Sequence, residues 1–152
     1  MLNVGSQAPD FSVPLHTGEI FRLSDYHGRK NVVLYFYPRD FTKGCTEQAC
    51  TFSSHFLEIA ALDAVIIGIS SDTVDSHRKF AAEYSLQFPL GADANRSVMR
   101  VYGALQFGFR PLRVTYVIDK MGVIRGAVHH EILIDRQWRS VITVLRGIKI
   151  KE

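Results

Sequence analysis

Two cysteines, Cys45 and Cys50, stand five positions apart in the stretch Thr42-Lys-Gly-Cys-Thr-Glu-Gln-Ala-Cys, and they are the only cysteines among 152 residues. The spacing is neither that of a zinc-binding pair nor the CxxC of a dithiol oxidoreductase. Zinc takes about four ligands, whereas the six histidines are scattered along the chain. The adjacent His129 and His130 fall on opposite faces of an expected strand, one exposed and one partly buried. No metal site is expected. A structural staple fares no better. On an intact helix, residues i and i+5 lie roughly 8.5 Å apart at Cα, beyond the ~4.4 to 6.8 Å that a disulfide spans. Closing so short a loop stabilises a chain by only ~2 kcal/mol. Opening a helical turn to close it forfeits several backbone hydrogen bonds of ~1 kcal/mol each. A bond between these thiols makes sense as a switch coupled to local unwinding, not as a staple.

The position of Cys45 suggests what the thiol does. Thr42 is a good N-cap residue, which puts Cys45 at N3, in the first helical turn, where unpaired N–H groups and the helix dipole favour an anion. Cys45 is therefore expected to ionise more readily than Cys50, which lies one and a half turns further in. A thiolate at such a place can carry out disulfide exchange, nucleophilic acyl chemistry or peroxide reduction. Acyl transfer wants a positioned histidine, and the sequence places none beside Cys45. Peroxide reduction needs the thiolate, donors for the peroxide oxygens, and a cation for the charge moving onto the leaving oxygen. Thr42 offers a hydroxyl, and an arginine on an adjoining strand can offer the charge. On spacing alone, two other readings stay open: a disulfide-exchanging or redox-sensing module without peroxide turnover, and a pair of ordinary buried thiols.

The elements that must position these residues are legible from apolar periodicity. Val32 to Tyr37, a β-branched and aromatic run closed by Pro38, reads as a central strand buried on both faces. Ala49, Phe52, Phe56, Ile59 and Ala60 recur at helical spacing and predict one helix of about 18 residues from Thr42, ending at Leu62 to Ala64. Ala64 to Ser70 is a second buried strand, and Val74, Phe80, Ala81 and Tyr84 mark a second helix. A short strand near Phe88 to Leu90, a helical turn at Val98 to Tyr102 and a loop rich in Gly and Phe follow. Two strands, RVTYVID and VIRGAVHH, then meet across a turn at Lys120 to Gly122. Trp138, Val141, Ile142, Leu145 and Ile148 predict a closing helix. The order predicts an α/β fold of thioredoxin-like type: a central mixed β-sheet flanked by helices, with an N-terminal extension, in one domain over residues 1–152.

Composition narrows the function classes. The longest apolar runs are far short of the roughly 18 to 20 residues that span a bilayer, so no membrane partner is expected. The opening MLNVGSQAPDF lacks the basic and apolar regions of a secretory signal, which makes the cytoplasm the expected compartment. The formal charge is +3, with 9 basic and 11 acidic residues up to position 109 and 9 and 4 beyond it. No basic block or stripe with interleaved aromatics marks a nucleic-acid binder.

The stretch YFYPRDFTKGCTEQAC resembles the peroxiredoxins, and within them the PrxQ or bacterioferritin-comigratory type, through a P-x3-T-x2-C signature met by Pro38, Thr42 and Cys45. VGSQAPDF, GISSDTVDSHRKFAAEYSLQFPLGAD and RVTYVIDKMGVIR resemble further family segments, so the likeness runs along nearly the whole chain. The resemblance implies a peroxidatic Cys45 that attacks a hydroperoxide and becomes a sulfenic acid. It implies a Thr42 that hydrogen-bonds thiolate and peroxide, a Pro38 that shields the pocket, and an Arg113 that steadies the thiolate and binds peroxide. Cys50 matches the resolving cysteine found in the same helix of many PrxQ-type members, forming an intramolecular disulfide once the helix unwinds. Thioredoxin or a similar dithiol donor would then reduce that disulfide, with hydrogen peroxide and organic hydroperoxides as substrates, no metal, haem or flavin cofactor, and a monomeric or weakly dimeric chain. Arg39 and Arg110 are read as surface residues. Gln48 is read as either a partner of the arginine or a surface residue of the helix. Lys43 departs from the family's usual proline, which loosens the start of the helix and adds a positive charge near the thiol.

Overall fold

An N-terminal hairpin of β1 (Ser12–Pro14) and β2 (Ile20–Arg22) precedes the central strand β3 (Asn31–Phe36) in a computed structural model that describes residues 1–129 and 135–151. All six residues of β3 are buried, as expected of a strand covered on both sides. Helix α1 (Lys43–Ser54) follows, then α2 (Phe56–Ala61), β4 (Ala64–Ser70), α3 (Val74–Glu83) and β5 (Leu90–Ala92). After α4 (Ser97–Val101) come the two-residue strands β6 (Leu105–Gln106) and β7 (Arg110–Pro111), then β8 (Val114–Ile118), β9 (Ile124–His129) and α5 (Asp135–Lys151).

The main sheet has the order β5-β4-β3-β8-β9. Strands β3, β4 and β5 run parallel, while β8 pairs antiparallel with both β3 and β9. This is the mixed, thioredoxin-like sheet that the element order predicts. Alternation along β3 divides the core. Val32, Leu34 and Phe36 face a cluster with Val13, Phe21, Met99 and Tyr102, so the N-terminal segment and α4 cover one face. Val33, Tyr35 and Tyr37 face the other cluster, which holds Cys45, Ala49 and Phe52 of α1, Phe80 of α3 and Val141 and Leu145 of α5. Gly68 interrupts the apolar run of β4 because Tyr35 lies across it: a Cβ at Gly68 would stand 2.6 Å from the Tyr35 Cζ.

Three sequence expectations change. The single helix from Thr42 divides at His55, whose backbone (φ −104°, ψ 13°) leaves the helical region. Ser54 returns its hydroxyl to the Thr51 carbonyl at 2.8 Å and competes with the helical ladder there. The His55 ring stacks on Trp138 of α5, with centroids 3.6 Å apart. The strand near Phe88 begins instead at Leu90, where its pairing with Gly68–Ser70 starts. The Gly/Phe-rich loop contains the β6–β7 hairpin, two residues a side and too short to leave a pattern. His129 is exposed at the end of β9, and His130 lies outside the described residues. Among the described residues, no helix is long and apolar enough to cross a membrane.

Candidate active site

Strand β3 delivers the chain to Tyr37, after which Pro38 ends the ladder and a short loop leads into α1. Phe41 takes a left-handed backbone (φ 65°), an uncommon conformation for a bulky side chain. Its ring is held edge-on against Phe80 at 5.1 Å. The loop is tied down from within by Asp40, whose side chain is buried. Tyr37 donates its hydroxyl to Asp40 Oδ1 at 2.6 Å, Ser76 donates to Oδ2 at 2.8 Å, and His77 Nδ1 meets Oδ2 at 2.8 Å. His77 Nε2 donates to the Gly91 carbonyl at 3.0 Å, and the Asp40 N–H donates to Asp72 Oδ2 at 2.8 Å. Asp40, Asp72 and His77 bring potential metal-ligand atoms within 4.8 Å of one another. Their hydrogen bonds are with protein partners and lock the loop onto α3. Burial first, and then neighbouring charge, pushes the Tyr37 phenol well above its ordinary range, so it stays a neutral donor.

Thr42 is the N-cap of α1, with Cys45 at N3 as the spacing predicts. Its hydroxyl does not close the cap. Oγ1 instead donates to the Arg39 carbonyl at 2.9 Å, and the Thr42 carbonyl accepts from the Thr46 N–H and hydroxyl at 2.9 and 2.7 Å. The exposed Thr42 hydroxyl therefore keeps its oxygen lone pairs for an incoming donor. Pro38 is half-buried.

Cys45 itself is 1% exposed, packed among Tyr35, Ala49 and Phe52 on the α1 side of the sheet. The antiparallel pairing Phe36↔Val114 carries Arg113, just before β8, to the level of Tyr37 at the mouth of α1. From there the Arg113 Nη1 donates to Cys45 Sγ at 3.4 Å and to Gln48 Oε1 at 2.9 Å. The guanidinium is buried with 6% exposure, so its charge acts on the sulfur through little intervening water. Arg39 and Arg110 are exposed, as the sequence predicts, and Lys43 is exposed at the first helical position.

Gln48 is a working part of this group, not a surface residue. It is 1% exposed, and its Nε2 donates to Gln137 Oε1 at 2.6 Å. Thr115 Oγ1 donates to the same oxygen at 2.6 Å. The i, i+3 spacing from Cys45 to Gln48 is the sequence signal that puts both on one helix face. For Gln137 the signal is its place one turn before Val141 on the buried stripe of α5. Thr115, Asp40 and His77 carry no comparable local mark. Cys50 lies in the same unbroken helix as Cys45, half-buried, and no disulfide joins the two. Burial pushes the Cys50 thiol up, so it is held as the protonated form in this state.

The site thus joins a buried sulfur in a first helical turn, a guanidinium that donates to it and, at the helix N-cap, an exposed hydroxyl with lone pairs to offer, the parts that peroxide reduction by a thiol needs. The family model described as AhpC/TSA matches residues 4–127. A protein of Coxiella burnetii named as a putative peroxiredoxin bcp is 37% identical over 148 residues, covering 93% of this chain and 97% of that one. The crystal structure of peroxidoxin BcpB from Mycobacterium tuberculosis is similar with a TM-score of 0.91 and 34% identity, covering 97% of this chain and 99% of that chain. A bacterioferritin comigratory protein of Xanthomonas campestris, described for its alkyl peroxide reduction activity, is similar with a TM-score of 0.84 and 25% identity over 91% of this chain and 92% of that one.

Proposed function

The chain belongs to the AhpC/TSA family, among its Bcp and PrxQ peroxiredoxins, and is a thiol-dependent peroxidase, an oxidoreductase; on that premise we propose how its own residues do the work. The Cys45 thiolate attacks one peroxide oxygen, the O–O bond breaks, and the sulfur is oxidised to sulfenic acid. The departing alkoxide or hydroxide takes up a proton to leave as alcohol or water. Arg113 steadies the thiolate and then the charge on the leaving oxygen. Thr42, whose proton already goes to the Arg39 carbonyl, accepts from the hydroperoxide O–H. Pro38 shields the reacting atoms from bulk water.

Cys50 resolves the intermediate. As the thiolate it attacks the Cys45 sulfenic acid, the S–O bond breaks, the departing hydroxide takes up a proton and leaves as water, and a disulfide joins the two. The intact helix keeps their Cα atoms roughly 8.5 Å apart, so α1 unwinds between them first. A dithiol donor such as thioredoxin then reduces the disulfide and restores both thiols. Hydrogen peroxide and organic hydroperoxides are the proposed substrates, the cytoplasm the compartment, and a monomer or weak homodimer the working form of one domain over residues 1–152.

The observation that carries this reading is the 3.4 Å contact of the buried Arg113 with the Cys45 sulfur. Mass spectrometry after one equivalent of peroxide tests it. The expected product has lost two hydrogens, mapped to the peptide that bears both thiols. A protein left unoxidised, or oxidised elsewhere than at Cys45, contradicts it.

A further inference from the structure

We propose that Gln137 is a positioning residue of the peroxidatic site: it holds the Gln48 amide one way round and so aims Arg113 at the Cys45 sulfur. The proposal rests on the peroxidatic reading of Cys45 given above. An amide side chain is asymmetric, with an acceptor at one end and donors at the other, whereas a guanidinium offers donors only. Arg113 therefore requires the Gln48 oxygen, and the observed Nη1 to Oε1 distance is 2.9 Å. That choice turns the Gln48 Nε2 away from Arg113, where, buried as it is, it needs a protein acceptor.

Gln137 supplies that acceptor at 2.6 Å, from a position with 0% exposure on α5. Thr115, also fully buried, donates to the same oxygen at 2.6 Å and comes from the strand that follows Arg113. Read outward from the guanidinium, only one polarity satisfies the sequence Arg113, Gln48, Gln137, Thr115. Without the Gln137 oxygen, the Gln48 amine is left buried and unmatched, and the amide gains nothing by keeping its oxygen towards Arg113.

Gln48 also lies between the two cysteines in α1. Unwinding the turn so that Cys50 can reach Cys45 withdraws Gln48 from both Gln137 and Arg113. The same bond thus supports the state that reacts with peroxide and resists the state that forms the disulfide. Loss of the Gln137 acceptor is expected to act in opposite directions on the two steps.

The test compares Gln137→Met with Gln137→Glu in the full chain, alone and with Gln48→Met. Ionisation of Cys45 is followed by ultraviolet thiolate absorbance in a Cys50→Ser background, without peroxide. The rates of the first oxidation and of disulfide formation are followed with Cys50 present. Gln137→Met is expected to lower the thiolate fraction at neutral pH several-fold. It should also slow oxidation about tenfold, the worth of one buried hydrogen bond, and quicken disulfide formation. Gln137→Glu, which keeps an acceptor at the same reach, is expected to hold Gln48 and Arg113 in place and recover part of the oxidation rate, its added negative charge offsetting part of the gain in ionisation. In the Gln48→Met background the Gln137→Met change should add nothing further. Native-like ionisation and rates in Gln137→Met overturn the proposal, as does an equal loss with and without Gln48. If Gln137→Met does not fold, Gln137→Asn, which draws the acceptor back by one carbon, is read by the same criteria. Cys45 ionisation is read without peroxide, so failure of Gln137 is separable from failure of the peroxidatic reading, which Cys45→Ser tests.

Discussion

The two ends of α1 are held by different means. At its start Cys45 and Gln48 are fully buried and tied by side-chain bonds to Arg113 and Gln137, residues 65 to 89 positions away in sequence. Towards its end Cys50 is half-buried, Ser54 bonds only to its own helix, and the ladder breaks at His55. A buried side-chain network is costly to disturb, while a helix end whose last hydroxyl competes for its own ladder opens at lower cost. On the proposed mechanism, one helix holds the reactive thiol in place at its tied end and releases the second thiol from its looser one.

The comparison can be broken outright at the first thiol. Cys45→Ser is expected to reduce peroxide consumption to background, whereas Cys50→Ser should still be oxidised once and then stall as a sulfenic acid in the presence of thioredoxin. Normal thioredoxin-dependent turnover by Cys50→Ser would show that another thiol resolves the intermediate. Next in size, Arg113→Met should slow the first oxidation roughly 10²-fold, the usual effect of removing a donor from a developing charge. Rapid-mixing kinetics of peroxide reduction would check this, and a loss of less than about threefold would remove Arg113 from the reacting group.

A third test sharpens the contrast through pH. Because burial raises the Cys50 thiol in the helix, the folded state binds this proton more tightly than the unwound one. The stability that this lends to α1 is fully present below the ordinary thiol range, and it is lost as pH rises through the raised value. The attacking species is also the thiolate. Disulfide formation after one equivalent of peroxide should therefore quicken by up to about tenfold per pH unit below that range. A resolving step independent of pH would contradict this role. The smallest effect is at the helix end. Ser54→Ala removes a hydroxyl that competes for the Thr51 carbonyl and restores a better helix former. It should stabilise the helix by about 0.5 kcal/mol and slow disulfide formation about twofold, with the first oxidation unchanged.

Much of this architecture is legible in the sequence. The runs at Val32 and Ala64 and the stripes of α3 and α5 bury their apolar faces as periodicity predicts, because burial follows from local pattern. The place of Cys45 at N3 followed from Thr42 alone. The resemblance picked out Arg113, and the register Phe36↔Val114 brings it to the sulfur. What escaped were partners rather than faces. Gln137 and Gln48 are 89 positions apart, and Asp40 and His77 are 37 apart. A helical stripe says that a glutamine is buried without saying which amide it meets. The break at His55 escaped for a related reason, since the partner its ring meets lies in a distant helix.

That stack has a practical consequence. Trp138 is the only tryptophan in the chain, and its indole lies 3.6 Å from the His55 ring at the seam where α1 stops. On the proposed unwinding of α1, the indole stands as an intrinsic optical gauge at its margin, and its emission is expected to follow oxidation and reduction without any added dye.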